Sequence, residues 1–501
     1  MTCLSSVVQR NTVRTNSQPR FEEKPKMPKI KLLTMFRLGL FQMGLGIMSL
    51  LTLGVLNRVM IDELKVLPFV AGGAIAMSQF VSPARVWFGQ MSDAKAILGY
   101  HRTGYVWLGA VAFTTLSFIA LQVIWQLGGS IQATGWSIQS YAIAGIVGLI
   151  FALYGLALSA SSTPFAALLV DVTDEDNRSQ LIAIVWSMLM VGIVVGAIIS
   201  SKLLARPEIC GPEILAYNPT QAPPIVDIGK LKATINPVFK IMPGIVLGLS
   251  WLGTVGIEKK YSRYNSRSTL VEREDKITFI RALRVLTANR QTGVFFSFLL
   301  VLTLSLFTQD AVMEPYGGEV FGMCISETTK LNVPFGMGTL IGIGFTGFLI
   351  LPRLGKQQTI KIGCITAAVC SGLFIMAGFA ANPGLLKSSL LFFGLASGVL
   401  TAAATSLMLD LTAAEVAGTF IGAWGLAQAM ARGLATVLGG GVLNLGKVLF
   451  SQQPVLAYGL VFTVQAVGMI AAIILLRRIS IREFQDNAKS AIAVVMESDL
   501  D

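Results

Sequence analysis

The stretch LLVDVTDEDNRSQLIAIVW, Leu168–Trp186, has a second copy in LMLDLTAAEVAGTFIGAW, Leu407–Trp424. Each reads as an apolar helix closing on Leu-x-x-Asp, a short polar turn, and a new apolar helix whose tryptophan lies 15 or 14 residues past the aspartate. Any turn can hold Asp and Thr. The whole phrase recurring 239 residues apart in a chain of 501 points instead to two halves built on one plan. Thr173-x-x-Asp176 and Thr412-x-x-Glu415 have capping-box form, which would start the helix after each turn. Asp171 and Asp410 fall at helix C-termini, where the peptide dipole disfavours an anion. Each therefore calls for a cation: Arg102 or Arg178 for the first, Arg353 or Lys356 for the second.

The flanking sequence says what kind of helices these are. Hydrophobic residues make up 53% of the chain and charged residues 13%, about half the charge usual in soluble domains. A bilayer crossing needs about 20 apolar helical residues. Twelve blocks approach that length: 33–57, 67–90, 104–127, 141–169, 180–204, 237–257, 291–313, 333–352, 359–380, 386–409, 417–440 and 456–476. The expected fold class is an all-α membrane protein with twelve transmembrane helices. Its expected parts are a disordered tail (1–31), a six-helix bundle (32–257, with a long loop at 206–236), a basic linker (258–290), a second six-helix bundle (291–478) and a final tail (479–501).

Net charge is +12, which on a soluble surface would suggest nucleic acid. Here the bases instead follow the positive-inside rule. With both termini cytoplasmic, 26 Lys and Arg fall on the inner side and 10 on the outer, with Arg37, Arg85 and Arg432 inside spans. Arg37 and Arg85 lie near inner ends and can snorkel to water. The linker places Ile277, Ile280, Leu283 and Leu286 at near-helical spacing with Arg281 and Arg284 between them. That pattern predicts a helix lying on the inner lipid surface. The basic first residues lack an apolar core and do not form a signal peptide. Cys210 and Cys324 both fall in outer loops, where a disulfide can form.

Polar groups inside the spans need a reason, because an ionised side chain at mid-bilayer costs about 2.5–3.5 kcal/mol on insertion scales. Arg432 lies beyond the middle of its span, one turn after Gln428. Both should face the bundle interior, with Asp310 or Glu314 as the acid for Arg432. Gln309, Asp310 and Glu314 crowd the end of the seventh span in FTQDAVMEPYGGEVFGM, residues 307–323. Pro315 and the following glycines should end that helix. Between the second and third spans, GQMSDAKAILGYHRTG offers Gly89-x-x-x-Asp93 followed by His101 and Arg102, candidates for an inner-face gate together with Asp171, Arg178 and Asp410.

A basic loop joining two six-helix halves is the layout of major facilitator proteins, and the Gly89–Asp93 loop resembles their signature between spans two and three. Its spacing departs from that signature, and Ala94 stands where a basic residue is usual. The Gln309-Asp310-x-x-x-Glu314-Pro315-Tyr316-Gly317-Gly318 stretch resembles, more narrowly, the PucC-type branch of that superfamily. LNRVMIDEL (56–64), SPARVWFGQMSD with HRTGYVWLG, and DVTDEDNRSQ resemble the same branch. The resemblance covers nearly all of 32–478; the tails and the proline-rich loop 206–236 do not map onto it.

The resemblance implies a factor that handles chlorophyll or bacteriochlorophyll for light-harvesting or photosystem apoproteins, in a thylakoid or other photosynthetic membrane. Its implied partners are a chlorophyll-type tetrapyrrole, chlorophyll-synthesis enzymes or antenna subunits, and lipid, with no nucleic acid. The single histidine, His101, lies in a loop, so imidazole ligation of many pigment magnesium ions is not expected. No tightly bound cofactor or metal is expected either. A transient carrier would use weaker oxygen ligands from Gln309, Gln42, Gln428 or Glu314. The glycines of LIGIGFTGF (340–348) would allow close helix packing or leave a smooth face for a flat ring. No phosphate loop, Cys/His cluster or Ser–His–Asp set points to an enzyme. Two alternatives stand beside the pigment reading. One is an ion-coupled carrier of a small solute working through Glu314, Asp310 and Arg432; the other is a non-transporting scaffold for antenna assembly.

Overall fold

The computed structural model describes residues 30–173, 175–206, 227–262, 290–410 and 417–479. Nearly all of both tails, most of loop 206–236, the expected linker helix, Cys210 and the second capping box fall outside these residues. The side chains of Arg178 and Asp410 do as well.

Among the described residues, ten helices are long and apolar enough to cross a membrane. They are α1 (Leu32–Glu63), α4 (Thr103–Thr134), α5 (Ile138–Asp171), α6 (Glu175–Leu204), α7 (Ile228–Thr254), α8 (Arg290–Phe307), α12 (Lys356–Phe379), α13 (Pro383–Asp410), α14 (Ala417–Leu449) and α15 (Pro454–Leu476). The other two expected spans are each interrupted, and they hold matching places in the two halves. The first splits into α2 (Pro68–Phe80) and α3 (Ala84–Ala94) around Val81–Pro83. Pro83 has no amide hydrogen and disfavours helical geometry at Ser82. In the second half, α11 (Asn332–Phe345) passes into a wide π-helical turn, Thr346–Ile350, and a last short turn, Leu351–Leu354. Gly344, Gly347 and Pro352 explain the loss of regularity there. Two further helices, α9 (Met313–Phe321) and α10 (Ile325–Lys330), lie between α8 and α11.

The start of α1 and the end of α15 share one face of the molecule, here the terminal face; the opposite face is the distal one. Each half has its own core. That of the second half is aromatic: Tyr316 packs against Tyr458 and Phe462 at centroid distances of 5.2 and 5.0 Å, and its hydroxyl donates to the carbonyl of Phe374 at 2.7 Å. Lipid is as apolar as leucine, so close backbone approach rather than water exclusion must hold these helices. Gly338 and Gly398 meet reciprocally across α11 and α13: a Cβ on Gly338 would fall 2.1 Å from the Leu391 carbonyl, and one on Gly398 2.3 Å from that of Thr339.

The halves meet through their distal parts. Helix α2 crosses α14 along Gly72, whose Cβ would lie 2.7 Å from the Thr436 carbonyl, and Gly440, 2.4 Å from that of Pro68. Ser326 on α10 donates to the Ser201 carbonyl at 2.8 Å. Among the described residues, the side-chain hydrogen bonds between halves all lie toward the distal face.

Candidate functional site

The distal closure is built around Arg58. Helix α1 runs past the predicted limit of residue 57 because two π-helical stretches, Leu50–Leu56 and Val59–Glu63, carry it on to Glu63. Such widened turns re-aim side chains and recur at functional sites. They turn Asn57, Arg58 and Asp62 into the seam, all buried. Arg58 pairs with Asp62 one turn on and approaches Glu63 at 3.6 Å. Its guanidinium also crosses to the other half, donating at 3.1 Å to the carbonyls of Glu314 and Met323. Asn57 donates to the Ala311 carbonyl at 2.6 Å. Beside this group Glu319 accepts from Lys447 at 2.6 Å and from the Tyr458 hydroxyl at 3.0 Å.

The room for Arg58 comes from Gly318, and the room for Glu314 from Gly54. A Cβ on Gly54 would fall 2.2 Å from Glu314 Oε1. Pro315 and Gly317-Gly318 do not end the seventh span, as the sequence suggests. That helix stops at Phe307, makes a tight turn over Thr308–Ala311, and starts again as α9. Pro315 falls in the first turn of α9, where its missing amide would have no partner anyway.

The restart decides where the predicted cavity residues go. Gln309, Asp310 and Glu314 line one small cavity of about 80 Å³ with Ser49, Gly54 and Asn332. Asn332 Nδ2 donates to Glu314 Oε1 at 2.6 Å, and Gln309 Nε2 donates to Asp310 at 3.4 Å. Gln309 Oε1 and Glu314 Oε2 are buried without a hydrogen-bond partner among the described residues. The expected ion pair from Arg432 to Asp310 or Glu314 does not form: α9 turns Glu314 toward Gly54 and Asn332, away from α14. Arg432 lies outside the cavity, 4.1 Å over the Phe307 ring, with Asp310 within electrostatic reach. Gln428 is half-buried one turn away, and Gln42 is buried in α1 outside the cavity lining.

The terminal-face residues form a second cluster, within the first half. Arg102 meets Asp171 at 3.0 Å and Asp93 at 2.5 Å, and donates to Ser92 Oγ at 2.6 Å. Burial opposes its charge, but Asp171 and then Asp93 outweigh it and raise its pKa above the ordinary value. Glu258 caps α4, accepting from the backbone amides of His101, Arg102 and Thr103 at 2.7, 3.1 and 2.6 Å, where the helix dipole favours an anion. Gly89 packs loosely on Thr163, at 3.5 Å from a built Cβ. Thr173 donates back to the Leu169 carbonyl at 2.6 Å and so ties off α5. Arg37 caps α7, donating to the carbonyls of Leu252 at 2.7 Å and Val255 at 2.5 Å. In the second half Lys356 donates to the Ser406 carbonyl at 3.1 Å, one turn before Asp410. Cys324 is disulfide-bonded, its partner lying outside the described residues, while Cys364 and Cys370 are free.

Sequence reading passed over Arg58, Asp62, Glu319 and Lys447. One signal was available: Arg58 and Asp62 are four residues apart, the spacing of an ion pair on a continuing helix.

Two pseudo-equivalent six-span halves enclosing a polar seam define a membrane protein of the major facilitator fold. Solved structures agree: the nucleoside transporter NupG superposes with a TM-score of 0.57 at 13% identity, covering 89% of this chain and 98% of that one. A bacterial homologue of the iron transporter ferroportin in inward-facing state gives 0.55 at 13%, covering 90% and 99%. Within that fold the chain belongs to the PucC family, whose model, described as PUCC protein, matches residues 55–484. Relatives include Protein PucC of Rhodobacter capsulatus, 28% identical over 89% of this chain and 92% of the relative. The Bacteriochlorophyll synthase 44.5 kDa chain of the same species is 29% identical over 88% and 94%.

Proposed function

We propose that the protein handles a chlorophyll-type tetrapyrrole and delivers it to light-harvesting or photosystem apoproteins, working in a photosynthetic membrane with both termini cytoplasmic. One observation carries the reading. The stretch that most resembles the PucC family, residues 307–323, is the stretch that forms the seam: it lines the cavity through Gln309, Asp310 and Glu314 and seats Arg58 against Gly318. The names of relatives point the same way, one being a PucC protein and another a bacteriochlorophyll synthase chain.

Size argues against the closed cavity as the pigment's seat. A cavity of about 80 Å³ is far below the roughly 300–1,000 Å³ of sites for drug-sized molecules, and a tetrapyrrole is larger than most of those. The pigment therefore enters between the halves on the terminal side, and the buried polar cavity is the closed end of that path. Arg58 and its carbonyl acceptors hold the distal side shut. Rocking of one half against the other, with the Arg102 cluster as a rigid corner of the first half, would open and close the terminal side.

A small-solute carrier is the second reading, favoured by the unpaired buried oxygens Glu314 Oε2 and Gln309 Oε1. Gentle purification of the full chain separates the readings. Pigment with pigment-synthesis enzymes supports delivery, and antenna subunits without pigment support a scaffold. Solute uptake into vesicles, abolished by Glu314→Gln, supports the carrier and overturns the pigment reading.

A further inference from the structure

The cavity beside the distal closure has spent its amide donors and kept its oxygens. Asn332 Nδ2 donates to Glu314 Oε1 at 2.6 Å and to the Thr329 carbonyl at 3.2 Å. Gln309 Nε2 donates to Asp310 at 3.4 Å. Glu314 Oε2 and Gln309 Oε1, on residues only 4% and 3% exposed, have no hydrogen-bond partner among the described residues. These four side chains line the cavity with Ser49 of α1. The cations of the adjoining closure are committed elsewhere: Arg58 to Asp62 and two main-chain carbonyls, Lys447 to Glu319. Asp310 has Arg432 within electrostatic reach, which leaves Glu314 as the carboxylate still to be balanced.

A buried carboxylate needs a countercharge. Two unspent acceptor oxygens, one on an acid and one on a neutral amide, suit a hard cation, which takes oxygen ligands. One unbalanced carboxylate suits a monovalent ion. Calcium wants six to eight oxygens, and magnesium sheds its waters reluctantly. A volume of about 80 Å³ has room for one ion with a few waters, since each water needs roughly 10–15 Å³. We propose that Glu314 Oε2 and Gln309 Oε1 bind an alkali cation in the cavity they share with Asp310 and Ser49. Helix α1 walls the cavity from the first half through Ser49 and Gly54, and α9 and α11 wall it from the second. The bound ion therefore favours the closed arrangement in which these walls meet. The site goes beyond the pigment reading and does not depend on it.

The test is thermal melting of the full chain in lipid nanodiscs, in the chloride salts of sodium, potassium, lithium and choline at equal ionic strength. At least one alkali cation should raise the melting temperature above that in choline, saturably with concentration. Glu314→Gln keeps the shape and removes the charge; Gln309→Met keeps the length and removes the oxygen. Each should weaken the apparent affinity for that cation about tenfold or more. Glu327→Gln, at an exposed acid of α10 outside the cavity lining, should leave the response unchanged. Equal melting of the parent chain in all four salts would overturn the site without recourse to any variant, and would show that water or a proton satisfies the two oxygens. A response that survives Glu314→Gln or Gln309→Met at full affinity would overturn it too, as would a response to calcium or magnesium but to no alkali cation.

Discussion

Arg58 and Gly318 occupy neighbouring space so closely that a methyl group on Gly318 would lie 1.3 Å from Arg58 Nη1. One residue comes from the first half and the other from the second, so the contact is a property of the assembled pair. Gly318→Ala must displace the guanidinium from its two carbonyls, and breaking a buried charged contact costs about 3–5 kcal/mol. Thermal melting in detergent should show that loss. Gly344→Ala is the control: nothing lies within 4 Å of its built Cβ, so its effect should stay within about 1 kcal/mol.

Asp62 is buried with Arg58 and pairs with it. Arg58→Met alone leaves a buried carboxylate without its cation, and a loss of about 3–5 kcal/mol is expected. The double variant Arg58→Met, Asp62→Leu removes both charges and should recover most of it. Equal losses in single and double variants would show that the carbonyl contacts, not the ion pair, carry the energy.

Glu314 and Asn332 meet at 2.6 Å. A double-mutant cycle with Glu314→Gln and Asn332→Ala should give a coupling energy of about 0.5–3 kcal/mol. Additive losses would contradict the contact.

On the terminal face, Asp171 and Asp93 both pair with Arg102, but their side chains are 9% and 58% exposed. Solvent screening leaves an exposed pair worth about 1 kcal/mol or less. Asp171→Ala should therefore destabilise clearly more than Asp93→Ala, as read by thermal melting or by labelling of a cysteine placed beside Arg102.

The helical membrane class was legible because span length follows from bilayer thickness, and the two-half plan because the Asp171 phrase recurs at Asp410. The Ser82-Pro83 break was also visible in principle. Arg58 was missed for a definite reason: the apolar run ends at residue 57, so a charged residue there reads as loop, although the helix continues to Glu63. Of the two acids the sequence offers Arg432, Asp310 lies within its electrostatic reach, whereas Glu314 is bonded to Asn332 instead. The tight turn at Thr308–Ala311 rotates Glu314 away from α14, and no residue pattern fixes the size of that rotation. Contact across the seam, as between Arg58 and Gly318, depends on how two separate bundles dock. Periodicity within one helix holds no information about that.

Delivery of pigment is tested most directly by loading the purified full-length protein with a chlorophyll-type pigment and mixing it with pigment-free light-harvesting polypeptides in vesicles. The account predicts that pigment leaves the protein and its absorbance shifts to that of the assembled complex, more slowly with Gly318→Ala. Failure to retain any pigment, with accumulation of a small solute in the same vesicles, would contradict it.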